Sequence, residues 1–386
     1  MQALCPEVRL LLACVTPAGA EQTAATYALC TRDINWARLL HLAAVHKMRP
    51  LLFHYLTQVV PDHVPTDVMD TLRQHAHANV ARNLHLAQTL IRLVERLRQS
   101  GIEAIPFKGP VLAELAYGNI GLREFVDLDV LVDVQAAPRA SHILQDDGWT
   151  PSTELMDWMI PLVAGQQQEF RKNGIALDLH WSVMPKRSFF APSTFPERVS
   201  VLLVGQPIRT FRVEDHLLLL CLHGTKDAWD SLQIISGVGA LLTRYPALDW
   251  NRLLQQAERY NVLKLLAFAL FLAQETLGVP LPVPVQTHIA SLRDRVKMAS
   301  KVIARWSNPV QNASQYHVDH FLFEWWTLAT LRDRLRYLFA TTIPTPMDMR
   351  LIHLPRALRG LYYLLRPFRL AWDYGAGCVR VLFLRT

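Results

Sequence analysis

The stretch Phe125-Val-Asp-Leu-Asp-Val-Leu-Val-Asp-Val134 constrains the fold more than any other part of the chain. Its residues alternate with the period of a β-strand, so Val126, Leu128, Val130, Val132 and Val134 share one face and Asp127, Asp129, Leu131 and Asp133 the other. One face suits a core and the other gathers carboxylates. A face of mixed Thr, Lys and Glu reads as solvated, but Asp is among the poorest strand formers and like charges side by side repel. A bound cation removes that conflict.

A second segment repeats the logic. In Ile175-Ala-Leu-Asp-Leu-His-Trp-Ser-Val183 the odd-numbered residues are apolar, leaving Ala176, Asp178, His180 and Ser182 on the opposite face. If the two strands pair with their apolar faces inward, Asp178 lies beside Asp127 and Asp129. Three carboxylates are hard oxygen ligands suited to magnesium or manganese, and two such ions about 4 Å apart suit in-line displacement at phosphorus. One ion lowers the pKa of an attacking hydroxyl while the other stabilises charge on the leaving group.

The surrounding pattern predicts an α+β chain. From Ile34 to about Ser100 apolar residues recur at three and four, as in Trp36, Leu39, Leu40, Leu42, Ala43 and again Leu84, Leu86, Leu90, Leu93, Leu97. At Gly101 the pattern changes to an extended run through Phe107, then Lys108-Gly109-Pro110 and a helix to Tyr117 closed by Gly118. The Asp-rich strand follows, then a helix from about Ala137 to Asp147, a polar linker, and the strand with Asp178. From Asp215 the helical period returns, with a Pro-rich linker at Val279–Pro284. The expected division is a helical region over 1–100, a catalytic core over 101–214, a helical domain over 215–349 and a basic amphipathic tail over 350–386.

The order strand, Gly-initiated helix, Asp-x-Asp strand, then a single Asp on a later strand resembles the polymerase-beta-like nucleotidyltransferases, whose core is a small mixed sheet backed by helices. More narrowly, Phe107-Lys-Gly-Pro-Val-Leu, Tyr117-Gly, Leu122-Arg, Asp127-Leu-Asp-Val-Leu-Val and Leu177-Asp-Leu-His-Trp resemble a bacterial family of largely uncharacterised nucleotidyltransferases. The similarity extends to Leu220-Cys-Leu-His-Gly-Thr-Lys226 with Trp229, and to Leu361-Tyr-Tyr-Leu-Leu-Arg-Pro367.

The resemblance implies metal ligation by Asp127, Asp129 and Asp178, with Asp178 as candidate general base, and a nucleoside triphosphate as substrate. Gly109 would let the backbone approach the triphosphate at a helix N-terminus. Lys108 and Arg123 are each a phosphate ligand or a surface charge. His223 and Lys226 hold the triphosphate or base, or, for His223, simply a core position. His180 orients Asp178 or closes the pocket. Two departures stand out. Pro110 replaces the Ser that usually follows the glycine, removing a hydroxyl and a backbone donor, although Pro is tolerated in a first turn. In Ile234-Ile-Ser-Gly-Val238, Gly237 stands where similar proteins carry an Asp nearby.

Composition narrows the partners. Of a net charge of +7, the segment from position 350 supplies most, with seven arginines against Asp373. The rest is nearly neutral, so pI alone implies no nucleic-acid-coating surface. The segment Arg356–Arg369 suits packing on the protein, a peripheral membrane contact, or RNA. The five cysteines show no metal-binding spacing, which fits the reducing cytoplasm. Leu11-Leu-Ala-Cys14 mimics a lipoprotein cleavage box, but Glu7 and Arg9 interrupt the apolar run and predict a helix instead. No apolar run approaches the roughly 20 residues of a membrane span. Three functions remain: nucleotidyl transfer to a small molecule, peptide, protein or RNA acceptor; a nucleotide-binding scaffold that has lost catalysis; or an RNA-modifying, toxin-like transferase.

Overall fold

The structure, a computed structural model, describes residues 4–16, 19–32, 34–153, 167–183, 194–309, 313–328 and 354–369, with isolated positions between 331 and 352. In chain order the helices α1 (Pro6–Ala13), α2 (Ala20–Arg32), α3 (Trp36–Val45), α4 (Arg49–Val59) and α5 (Thr66–Gln99) come first. There follow β1 (Ile105–Pro106), α6 (Gly109–Tyr117), β2 (Asp127–Leu131), α7 (Ala137–Asp146), β3 (Thr150–Pro151), β4 (Gln167–Lys172), β5 (Ile175–His180), β6 (Arg198–Leu203) and β7 (Gln206–Phe211). The remainder is helical: α8 (Val213–Lys226), α9 (Leu232–Arg244), α10 (Trp250–Arg259), α11 (Leu263–Leu277), α12 (Val283–Ser291), α13 (Arg295–Ser307) and α14 (Ala313–Thr327). The fold is α+β with a small mixed sheet.

Two compact units divide the chain, one comprising Met1–Glu95, Pro106–Leu128 and Glu197–Pro309, the other Arg96–Ile105, Asp129–Pro196 and Val310–Thr386. The boundary passes through β1 and β2.

The first unit is mainly helical. Its centre is α11, whose residues Leu265 to Ala273 are all buried. A helix apolar all round is stable only when enclosed, and α8, α9, α10, α12 and α13 pack about it. Gly278 ends it in a left-handed turn at φ 67°. Capping is local: the side chains of Asn35, Ser231 and Asp249 accept from first-turn amides of α3, α9 and α10.

Three helices of this unit hold the loop that precedes β2. Asn79 Nδ2 on α5 donates to Gly121 O at 2.8 Å, and Asn83 Nδ2 to Ile120 O and Arg123 O at 2.6 and 2.8 Å. Arg49 on α4 grips Glu124 with Nη2–Oε2 at 2.7 Å and Nε–Oε1 at 3.1 Å, a bidentate pair. Gln233 on α9 donates to Glu124 O at 2.8 Å. Buried carbonyls in an irregular loop need such partners, and here side chains supply them.

A second staple ties α8 and the β6–β7 hairpin to the residues that lead into α6. Thr210 Oγ1 donates to Pro106 O at 2.6 Å and lies 3.0 Å from His216 Nε2. Burial pushes the His216 imidazole down to about 4, against a smaller opposing effect of its bond to the Phe107 backbone. His216 is therefore neutral in the fold.

In the second unit β4 pairs antiparallel with β3 and β5, and the sheet order is β1-β2-β5-β4-β3. α7 packs on β3 and β5, and Phe170, Leu177, Leu179, Trp149, Ala140 and Leu144 form its core. Asn173 and Gly174, at φ 50° and 77°, make the two-residue turn between β4 and β5. At the far end of the chain, residues 362–369 are helical, with Arg366 Nη1 and Arg369 Nε bound to buried Asp348 at 2.7 and 2.6 Å. Leu364 and Phe368 on this helix are exposed.

Several expectations change. The Asp-rich strand is shorter than Phe125–Val134, and Val126, expected in the core, is 59% exposed because the strand has not yet begun there. The acidic face divides: Asp129 and Leu131 are buried along with Leu128, Val130 and Val132, since β2 lies between β1 and β5, whereas Asp127 is half-buried and Asp133 exposed. The polar linker after Gly148 contains β4, and the hairpin β6–β7 had no sequence counterpart. Val283 and Pro284 belong to the first turn of α12 rather than to a linker. Cys14 lies buried just after α1, its Sγ donating to Leu10 O at 3.2 Å, as a helix reading of that segment predicts.

Candidate active site

The acidic strands do converge. One carboxylate oxygen each from Asp129 and Asp178 and one imidazole nitrogen of His180 all lie within 4.8 Å of one another. β2 presents Asp129 and β5 presents both Asp178 and His180, two residues apart and hence on one face. The apolar residues between them, Leu128, Val130, Leu177 and Leu179, are fully buried and fix both strands.

Asp129 is 5% exposed and His180 5%, whereas Asp178 is half-buried. His180 Nε2 stands 2.9 Å from Asp129 Oδ1. Gln167 Nε2, on β4, donates to Asp178 Oδ2 at 3.1 Å. Glu169, also on β4, sits directly opposite Asp178 in the register, and its carboxylate pairs with Arg171 at 2.6 Å. Carboxylates thus lie on three adjacent strands, Glu169 paired with Arg171, Asp129 bonded to His180 and Asp178 held by Gln167.

The donor set suits a divalent ion. Two carboxylate oxygens are hard ligands and one imidazole is borderline, and a carboxylate as buried as Asp129 is stabilised by a positive partner. Asp127 lies two residues before Asp129 on β2 and is half-buried. It is not a member of the group that the structure assembles.

The other residues singled out by sequence lie in the first unit. Gly109 opens α6 at φ +45°, and a Cβ there would meet Asp127 O at 3.3 Å. Only glycine takes that backbone comfortably and permits the close approach to β2. Pro110 is in the first turn, where its missing N–H breaks no helical bond. The Lys108 ammonium stands 5.3 Å from the centre of the Phe107 ring. Arg123 is 8% exposed, so the reading of a surface charge does not hold. Its charge acts on Tyr117, whose phenol burial pushes up to about 12 while Arg123 draws it back.

His223 is partly exposed in the last turn of α8, with Nε2 3.4 Å from Asp227 Oδ2, and Lys226 is exposed. Gly237 lies inside α9, where a Cβ would stand 3.0 Å from Leu220 Cδ2, so packing of α8 on α9 accounts for a small residue there. Sequence reasoning missed Gln167 and Glu169. The Asn173-Gly174 pair was the available signal, because such a pair between extended runs marks a hairpin and places β4 beside β5.

Burial raises the Cys30 thiol to about 11 and that of Cys14 well above its usual range. Among the described residues, no helix is long and apolar enough to cross a membrane.

Comparison with known proteins adds a family. A model described as an uncharacterised nucleotidyltransferase matches residues 32–278, well over half of the chain. A crystal structure of an antigenic nucleotidyltransferase-like protein from Paracoccidioides brasiliensis is similar at 14% identity and a TM-score of 0.32, covering 57% of this chain and 92% of that one. Among curated proteins none matches.

Proposed function

The chain belongs to the uncharacterised nucleotidyltransferase family, and from that premise we propose that it transfers a nucleoside monophosphate from a nucleoside triphosphate to an unidentified acceptor, releasing pyrophosphate, with magnesium or manganese as cofactor. The observation that carries this reading is the meeting of Asp129, Asp178 and His180 on adjacent strands whose intervening residues Leu128, Val130, Leu177 and Leu179 are buried. Residues 101–214 carry the chemistry in this reading, with Asp127 joining Asp129 and Asp178 on the cation.

A bound divalent ion supplies positive charge to the phosphates and lowers the pKa of the attacking group. The protein's own part is positioning. Gln167 fixes the plane of the Asp178 carboxylate, which takes the proton from the acceptor hydroxyl as its oxygen bonds to the α-phosphorus. The bond from that phosphorus to the bridging oxygen of the β-phosphate breaks, and pyrophosphate leaves. The N-terminus of α6, opened by Gly109, offers backbone donors to the triphosphate, fewer by one because of Pro110. Lys108, Arg123, His223 and Lys226 are assigned to the triphosphate and base as a group.

The test is release of pyrophosphate from each of the four triphosphates with manganese and with magnesium, across acceptor panels of small molecules, peptides and RNA. Asp129→Asn and Asp178→Asn, checked for folding by circular dichroism, should each lower turnover by about a thousandfold, a scale typical of a lost electrostatic contact. Unchanged turnover removes the assignment. Pro110 favours one second reading, a binding protein with weak or no catalysis, and tight triphosphate binding without pyrophosphate on any acceptor would select it.

A further inference from the structure

The expected ligand set was three carboxylates, and the structure assembles two carboxylates and an imidazole. We propose that His180 is itself a ligand of the cation, beside Asp129 and Asp178, and that its nitrogen turns the site toward manganese and away from magnesium. This inference rests on the nucleotidyltransferase reading for the presence of a cation but concerns a residue that reading does not require.

A histidine that only orients a carboxylate needs to reach that carboxylate alone. Here the imidazole nitrogen lies within 4.8 Å of one oxygen from each of two aspartates, within reach of an ion that both would hold. Adjacent donors around a six-coordinate ion with bonds of about 2.1 Å are about 3.0 Å apart. His180 Nε2 and Asp129 Oδ1 are separated by 2.9 Å.

The fold gives the ring little choice. His180 is 5% exposed, at the last position of β5, and its carbonyl accepts from Val132 N at 2.9 Å, which locks its backbone to the chain just after β2. Asp178 projects from the same face two residues earlier. A carboxylate only accepts, so Nε2 carries the proton when it bonds Asp129 without a metal. Ligation by Nε2 requires that proton to move to Nδ1 or to leave.

The chemical consequence follows from ligand type. Magnesium is usually held by carboxylates, phosphates and water and dehydrates reluctantly, whereas imidazole suits first-row transition ions. Two carboxylates and one imidazole therefore favour manganese over magnesium by more than a purely carboxylate set does.

The experiment is pulsed electron paramagnetic resonance on the full-length protein loaded with Mn²⁺, without nucleotide, alongside calorimetric titration with Mn²⁺ and Mg²⁺. Echo modulation from a directly bound ¹⁴N nucleus is expected in the wild type and absent in His180→Gln. Asp178→Asn should keep the nitrogen signal while binding Mn²⁺ more weakly. The ratio of Mn²⁺ to Mg²⁺ affinity should fall by about tenfold in His180→Gln, the scale of one altered ligand. Wild-type protein that binds Mn²⁺ without nitrogen modulation overturns the inference and leaves the proposed function standing. Protein that binds neither ion and releases no pyrophosphate overturns both. The wild-type spectrum decides the matter even if the variant fails to fold.

Discussion

His216 makes the stability of the helical unit depend on pH in a way that one substitution isolates. Its imidazole has an ordinary value of 6.5 and is pushed down to about 4 by burial. The folded state therefore holds the neutral ring, and the unfolded chain binds a proton first as pH falls. The contribution is fully present above pH 6.5 and is lost as pH falls from there toward about 4. A difference of that size corresponds to about 3 kcal/mol, most of which is gone by pH 4.5.

His216→Gln keeps a polar partner for Thr210 but cannot titrate. The measurement is hydrogen exchange of peptides spanning 206–220, read as local opening free energy from pH 8 to 4.5 and corrected for intrinsic exchange. Wild type should be the more stable at pH 8, with the gap to the variant closing as pH falls. His46, also held below its usual range by burial, titrates in both proteins and cancels in the difference. Parallel curves for the two proteins between pH 6.5 and 4.5 refute the reasoning.

Further outcomes follow from the same geometry. Gly109→Ala forces a side chain into φ +45° and toward Asp127 O, which should cost about 1–2 kcal/mol in urea unfolding. Asn83→Leu removes the donor to Ile120 O and Arg123 O, and the lost bonds should lower stability by about 2 kcal/mol by the same assay. Arg49→Met leaves the Glu124 carboxylate, only 10% exposed, without its cation; a loss of about 2 kcal/mol in urea unfolding is expected. Gly224→Ala would place Cβ 2.6 Å from the Trp229 ring, so a loss of about 1–3 kcal/mol should accompany a red shift of tryptophan fluorescence.

Where periodicity was strong and local, the chain announced itself. The helices of the first hundred residues, the helix opened by Gly109 and the strands holding Asp129 and Asp178 follow from side-chain spacing and turn residues. β4 was hidden because Gln167-Gln-Glu-Phe-Arg-Lys172 has a single buried apolar residue, Phe170, which makes no visible period. Strand β2 looked longer than it is because Val126 and Val134 continue the alternation without partners to extend the ladder. The convergence of Asp129 with Asp178 was legible from two amphipathic strands, but the bond between His180 and Asp129 was not. Which neighbour a side chain meets depends on strand order, and alternation within one strand carries no information about that. Arg123 was equally opaque, since nothing local distinguishes a buried guanidinium from a surface one.

The turn at Asn173-Gly174 has a further consequence for how much of the chain the site depends on. Because it joins β4 to β5 through two residues, the segment 167–180 carries Gln167, Glu169, Asp178 and His180 in a register fixed by its own tip. That hairpin behaves as a cassette: a new pair of chain ends opened between β3 and β4 would separate the molecule into fragments without parting these four residues. Asp129 then lies on the other fragment, so cation binding by the two fragments expressed together reports that β2 and β5 have paired again.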